Sequence, residues 1–418
     1  MEDMTLRLKA GRWLLPKPGI DHAAWACVAC DQFTSQPEYW EKARVFVGAQ
    51  PSTLKMILPE CELADAAAKV LEIHSEMQRC LSQGLLAETP AEGFVLTVRT
   101  TESGARIGLI ALMDLEGYDY SAGSQSLIRP TEGTVVERIP PRLAVRRGAP
   151  LEFSHVMMLL DDPLFSVIEP LHQKRDTLPK LYDFTLMLGG GQLTGYAVDD
   201  PADIAAVLAA LNALKAGRKE TPPLLFAVGD GNHSLATAKA YWEEIKQGLT
   251  PAEQENHPAR FAMAELTNLH GDALLFEPIH RVVFGADGAQ LMADFARHAQ
   301  EQGMTLSGGE QRIVCLHGGT EQVLDIGNAP QTLAVGTLQV FLDAWLAEHP
   351  EAHVDYIHGE DAVRDLIRAE NTIGFLLPVP KKDSLFPTVI HEGVLPRKTF
   401  SMGEAHEKRY YMEARLLG

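Results

Sequence analysis

Apolar positions along the chain fall into short runs that alternate with stretches of helical period, the pattern of an α/β protein. "WACVAC" reads as a strand over Trp25–Cys30, followed by a helix over Pro37–Val47 and a longer one near Glu62–Gln83. "GFVLTVRT", "RIGLIALMDL" and "EFSHVMMLLDD" read as strands, and "DFTLMLGGGQLTGYAV" as two strands around Gly189–Gly191. An Ala/Leu-rich helix over Pro201–Gly217 precedes the strand-like "ARFAMAELTNL" and "LLFEPIHRVVF". Beyond Gly285 the texture is compact α/β, and the tail "GEAHEKRYYMEARLL" reads as a closing helix. The expected division is an N-terminal, β-rich α/β part (1–150) with an arginine-rich segment, a central part (151–284) and a C-terminal α/β part (285–418).

The most informative junction is "LFAVGDGNHSLATAKAYWEEIK". A buried strand, Leu224–Val228, stops at Gly229-Asp230-Gly231, and a helix then places Leu235, Ala238, Trp242 and Ile245 on one face. Glycines allow backbone angles and close approaches that a Cβ would block. Unpaired N–H groups and the positive end of the helix dipole make such a junction a natural anion site, with Asn232, His233 and Ser234 in the first turn. The plainer explanation is that Asp230 or Asn232 caps the helix. Neither the P-loop nor the full dinucleotide pattern is present.

Other segments offer anion ligands. Arg129, Arg138, Arg142, Arg146 and Arg147 cluster within "RPTEGTVVERIPPRLAVRRG", with Thr131 and Glu132 beside the first. Guanidinium groups suit bidentate carboxylate or phosphate recognition, although such arginines also solvate surface hairpins. Arg146 and Arg147 read as exposed turn charges. In "ACDQFTSQPEYW", a capping box would explain Ser35 and Glu38, leaving Asp31, Gln32 and Thr34 beyond a strand's carboxyl end, where open α/β sheets bind ligands. His280 and Arg281 in "FEPIHR" could supply an acid/base and a phosphate contact, or simply a satisfied core histidine. Arg397 and Lys398 precede a second capping box and are further anion candidates.

Charge narrows the classes. The 418-residue chain carries 37 basic and 56 acidic residues, a net −19, which argues against a nucleic-acid or anionic-membrane surface. The N-terminus has no secretion-type apolar core, and no apolar run is long enough to span a membrane, so a cytoplasmic location is expected. Five cysteines form no disulfide framework, and Cys27 and Cys30 sit in an apolar run rather than at a helix start. No zinc-protease, zinc-ribbon or nucleophile-elbow spacing occurs, and the metal, if any, is left unassigned.

"GDGNHSLATA", taken with "ACDQFTSQPEYW", "SLIRPTEGT", "FEPIHRVV", "DYIHGED" and "LPRKTFSMGEAHEKRYY", resembles a bacterial family known as domain-of-unknown-function family 1015 over nearly the whole length. The family's turn, here Asp230, Gly231, His233 and Ala238, is similar to the G-x-H-R turn of the ParB/sulfiredoxin-like superfold. That resemblance implies a core of this type around the strand–GDGNH–helix unit, and phosphate at the helix N-terminus. One branch of the superfold phosphorylates free serine. Ser234 stands where the superfold has arginine, so a cation from elsewhere must replace it. The expected activity is phosphoryl transfer on a small phosphorylated or carboxylate metabolite, serine- or phosphoserine-like. His233 is the expected acid/base and Asp230 the Mg²⁺ or hydroxyl ligand, with ATP or ADP as possible cofactor. A phosphatase at the same site and a non-catalytic phospho-metabolite sensor are the alternatives.

Overall fold

The computed structural model describes residues 6–121 and 123–417, a mixed α/β chain in two units. The chain leaves the first unit at Leu275 and re-enters it at Gly403; Phe276–Met402 form the second. The sequence boundary near 150 divides neither, because the principal sheet takes strands from both sides of it. The expected boundary at 284 falls at the end of the second unit's first strand, Phe276–Phe284.

In the first unit a nine-stranded sheet runs in the order Ile128–Pro130, Phe226–Asp230, Met157–Leu160, Phe261–Asn268, Gly104–Asp114, Phe94–Thr101, Gln192–Val198, Lys180–Thr185, with Leu8–Lys9 pairing beside Gly104–Asp114. Phe226–Asp230 is parallel to Ile128–Pro130 and antiparallel to Met157–Leu160, with Asp230 opposite Met157. The end of the glycine strand therefore lies beside the residues that lead into Met157.

Two segments depart from their sequence reading. "EFSHVMMLLDD" is two strands: Leu151–Phe153 joins a four-stranded sheet with Leu86–Glu88, Leu14–Pro16 and Ala414–Leu416, while Met157–Leu160 joins the large one. Ser154 and His155 form the break. The C-terminal tail is no α-helix; it is a short 3₁₀ turn (Ala405–Glu407), an extended segment and the strand Ala414–Leu416. Its backbone pairs with the Trp25–Cys30 run, which forms one isolated bridge, Val28 to Tyr410, rather than a strand. Ala29 N–H donates to Arg409 O (2.8 Å) and Tyr411 N–H to Cys27 O (2.8 Å). Tyr410 and Tyr411, adjacent in sequence, are both buried, which suits an extended strand between two layers and not an amphipathic helix.

Buried arginines hold that tail. Arg99 donates to the carbonyls of Gly190, His406 and Lys408, and Arg106 to that of Glu407. Arg409 pairs with Glu413 (2.6 Å) and Glu265 (3.4 Å), and Thr97 donates to Glu265 (2.8 Å). This polar network needs room on the sheet face: a Cβ at Gly108 would lie 2.2 Å from Glu265 Oε1.

In the second unit an antiparallel sheet runs Thr320–Ile326, Gln311–His317, Thr372–Leu376, Phe276–Phe284, His353–His358, with Phe400–Met402 pairing the start of Phe276–Phe284. Period-2 alternation sends Val283, Ile313, Ile373 and Phe375 against the helices Gly288–Glu301 and Ala334–Glu348. Val282, Leu316 and Leu376 pack with Val363 of Glu360–Leu366 on the other face.

Candidate functional site

The strand Phe226–Asp230 ends at Gly231, whose φ of 77° is left-handed, and the helix Asn232–Ile245 starts from it. No side chain caps this helix, so the simple cap explanation for Asp230 and Asn232 does not hold. Glycine is required twice over: by φ, and because a Cβ here would lie 3.0 Å from Val156 Cα and 3.3 Å from His155 Cδ2. First-turn N–H groups are left for a ligand or water. Asp230 Oδ2 and Asn232 Oδ1 are buried and make no hydrogen bond among the described residues. Asp230 Oδ2 has Lys408 Nζ, from the tail, at 3.6 Å.

Against this turn stands His155, which sequence reasoning missed. Its Nε2 lies 3.2 Å from Ser234 Oγ and 3.4 Å from Asp31 Oδ2, and its Nδ1 lies 2.6 Å from Tyr411 Oη. Burial alone would lower its pKa, but the facing Asp31 carboxylate holds it well above the ordinary imidazole value. Burial works to raise Asp31, yet the His155 cation, the Gln32 amide and Lys408 hold it well below the carboxylate range. The pair is thus imidazolium and carboxylate. Both ring N–H groups donate, one to Tyr411 Oη, the other towards Asp31 and Ser234. Tyr411 Oη also accepts from Cys30 N–H (3.1 Å).

His233 is the opposite case. Its Nε2 accepts from Val135 N–H (3.3 Å), and burial followed by the Arg142 and Arg138 charges lowers it to about 4. It is neutral near pH 7 with that lone pair occupied, so the expected acid/base role does not fit; its Nδ1–H can still donate to an anion.

The arginine-rich segment is a helix, Ile139–Arg146, not a surface hairpin. Arg138 (3.3 Å) and Arg142 (3.1 Å) share Glu60 Oε1, and Arg142 is the more buried. Arg146 is no exposed turn charge; it pairs with buried Glu152 (2.6 Å), whereas Arg147 meets Glu244 at the surface. Arg129 lies elsewhere, donating to Ser126 O (2.8 Å) and Pro222 O (3.1 Å), and Thr131 donates to Val228 O (2.6 Å), so both brace the sheet's edge strand. Glu132 follows them, half-buried.

The loop carrying Asp31 is shaped by its neighbours. Gln32 Nε2 donates to Asp31 Oδ1 (3.0 Å) and Thr34 Oγ1 to Asp31 O (3.3 Å). The helix after it starts at Pro37 from an N-cap Gln36 without a side-chain cap, so Ser35 and Glu38 do not form the expected box.

His280, Arg281, Arg397 and Lys398 belong to the second unit. His280 Nδ1 accepts from Leu377 N–H (3.1 Å). Arg281 is fully buried and donates to Gln339 Oε1 and to the carbonyls of Ile279, Arg397 and Lys398. His280 and Arg281 therefore hold a core together, while the Arg397 and Lys398 side chains are exposed.

Fold and site define a mixed α/β protein with a left-handed glycine turn into an uncapped helix, backed by a buried histidine paired with a half-buried carboxylate. By its sequence over residues 14–345 the chain belongs to the family described as protein of unknown function (DUF1015). No curated protein matches it. Solved structures similar to it include a mutant free serine kinase in complex with ADP, at 10% identity and TM-score 0.40, covering 76% of this chain and 95% of that one. A conserved hypothetical protein from Pyrococcus furiosus is similar at 11% identity and TM-score 0.37, covering 74% and 95%. SbnI with a C-terminal truncation, from Staphylococcus aureus, is similar at 11% identity and TM-score 0.37, covering 70% and 83%. Among the described residues no helix is long and apolar enough to cross a membrane.

Proposed function

We propose that the chain moves a phosphoryl group to or from the hydroxyl of a small polar metabolite, of the serine or phosphoserine kind that the family resemblance suggests. The observation that carries this is the uncapped N-terminus behind Gly231 with buried His155 standing between Ser234 (3.2 Å) and Asp31 (3.4 Å). The N–H groups of Asn232, His233 and Ser234 cradle the phosphate, while that of Gly231 donates to Asp230 Oδ1 (3.0 Å). His155 supplies the positive charge that Ser234, in place of an arginine, does not. Arg142 and the Nδ1–H of His233 add donors at the rim.

Phosphoryl transfer rests mainly on positioning and charge stabilisation. Asp31, fixed by His155 and Gln32 and held well below the carboxylate range, is too weak a base to take the hydroxyl proton; its role in this reading is to orient the hydroxyl as a hydrogen-bond acceptor. ATP or ADP is the nucleotide in this reading, and Mg²⁺ would neutralise its phosphates; Asp230 Oδ2, which makes no hydrogen bond among the described residues and has Lys408 Nζ at 3.6 Å, would be the oxygen to hold the ion.

The test is to incubate the chain with ATP and serine, and with phosphoserine with and without ADP, each with Mg²⁺, following ADP, ATP and free phosphate, alongside titration with inorganic phosphate. Phosphate release without nucleotide assigns a phosphatase. Phosphate binding with no turnover of any mixture assigns a sensor. Neither binding nor turnover overturns the site.

A further inference from the structure

Beside the turn lies a cavity of about 130 Å³. It opens to the surface rather than lying closed in the core, and it joins an apolar wall to a few polar groups, as ligand pockets do. One wall is apolar: Met56, Leu58, Leu63, Met77, Leu151 and Phe153. The other is polar, with His155, Ser234 and Thr237 beside the Arg142–Glu60 and Arg146–Glu152 ion pairs. Arg146 Nε is buried and makes no hydrogen bond among the described residues, a donor left over on that wall.

Ser234 and His155 belong to both places. Ser234 offers its N–H to the turn and its side chain to the cavity wall, and His155 packs under Gly231 while lining the cavity. A molecule anchored by its phosphate at the turn therefore has an apolar compartment within reach. Engineered cavities of about 150 Å³ with apolar walls bind benzene. Serine has no group to fill such a space.

We infer that the metabolite bound here carries, next to its phosphate or acceptor hydroxyl, a compact apolar group about the size of a benzene ring, which occupies this cavity. The inference rests on the phosphate reading of the Gly231 turn and narrows its substrate from bare serine-like compounds to hydroxy or phosphate compounds with an apolar body. The apolar body displaces water from the Met56–Phe153 wall, and any acceptor on its edge meets Arg146.

The experiment is calorimetric titration of the full chain with inorganic phosphate, phosphoserine and phenyl phosphate. Phenyl phosphate is expected to bind at least tenfold tighter than the other two. Ala149→Leu, which puts carbon into the cavity from a wall residue outside the anion site, is expected to remove that advantage while leaving the affinity for inorganic phosphate unchanged. Leu58→Phe, from the opposite wall, repeats the test if the first variant does not fold. Equal binding of phenyl phosphate and inorganic phosphate overturns the inference and leaves the phosphate reading intact. An advantage that survives both filled variants overturns it as well. No binding of any of the three overturns both.

Discussion

Two buried histidines, one in each unit, are shifted in opposite directions, one towards the protonated ring and the other towards the neutral one. His155 is 3% exposed and His280 is 6% exposed, so desolvation pushes both towards the neutral ring. At His155 a carboxylate stands 3.4 Å away and reverses that push. At His280 burial prevails, with His358 and Arg281 adding to it against Glu360, and the ring accepts a backbone N–H as a neutral acceptor. Burial sets the default, a neutral ring, and a carboxylate as close as Asp31 reverses it. The charged ring faces an uncapped helix end and a cavity, whereas the neutral one ties Leu377 to the strand beside it.

The severest way to break this contrast is Asp31→Asn. Without the carboxylate His155 should fall below the ordinary imidazole pKa, like His280, and its ring resonances should titrate accordingly by NMR. Loss of both the carboxylate that orients the hydroxyl and the positive charge beside Ser234 should lower turnover by about 10²-fold or more. A His155 that stays protonated at pH 7 in this variant would show that something other than Asp31 sets its charge.

Next is Arg281→Met in the second unit. The guanidinium satisfies three carbonyls and the Gln339 side chain, and losing it leaves buried acceptors without donors. A destabilisation of about 3 kcal/mol is expected in urea unfolding. Phosphate affinity should be unchanged; a parallel loss would mean that this arginine is more than a core brace.

The same contrast explains what could be read from the sequence. Regular elements with clean periodicity were legible: the helix Pro37–Val47, the paired strands around Gly189–Gly191 and the helix after Asp200 all stand where apolar spacing and Pro or Asp signals put them. The Gly231 turn was legible because glycine marks unusual backbone. His155 was hidden inside an apolar run that looked like one strand, and only a polar Ser-His pair interrupting it hinted at a break. Lys408 and Tyr411 were hidden by helix-forming neighbours in the tail, whose partners at residues 25–30 are far away in sequence. Tertiary pairing overrode local propensity there, and no local pattern brings Asp31, His155 and Tyr411 together.

Gly231→Ala should come third in size. A non-glycine residue in the left-handed region costs roughly 1–2 kcal/mol, and the added Cβ also presses on Val156 and the His155 ring. The expected result is a lower melting temperature with weakened phosphate binding. An alanine variant that binds phosphate as well as the parent would remove the turn from the site.

The smallest and most direct comparison is the pH dependence of stability. His155 has a folded pKa above its unfolded value near 6.5, so its contribution is full below that pH and is lost as pH rises through the folded value. His280 has a lowered folded pKa, so the native state resists its protonation, and stability falls as pH drops below about 6.5. His233, lowered to about 4, acts in the same sense as His280 but within the first unit, so wild-type curves alone do not separate the three. Single variants do. His155→Gln should flatten the alkaline arm of a urea-unfolding series above about pH 6.5, and His280→Gln the acid arm below about pH 6.5, each by on the order of 1 kcal/mol per pH unit. If both variants flatten the same arm, the two histidines are not shifted in opposite directions, and the distinction between site and core falls with them.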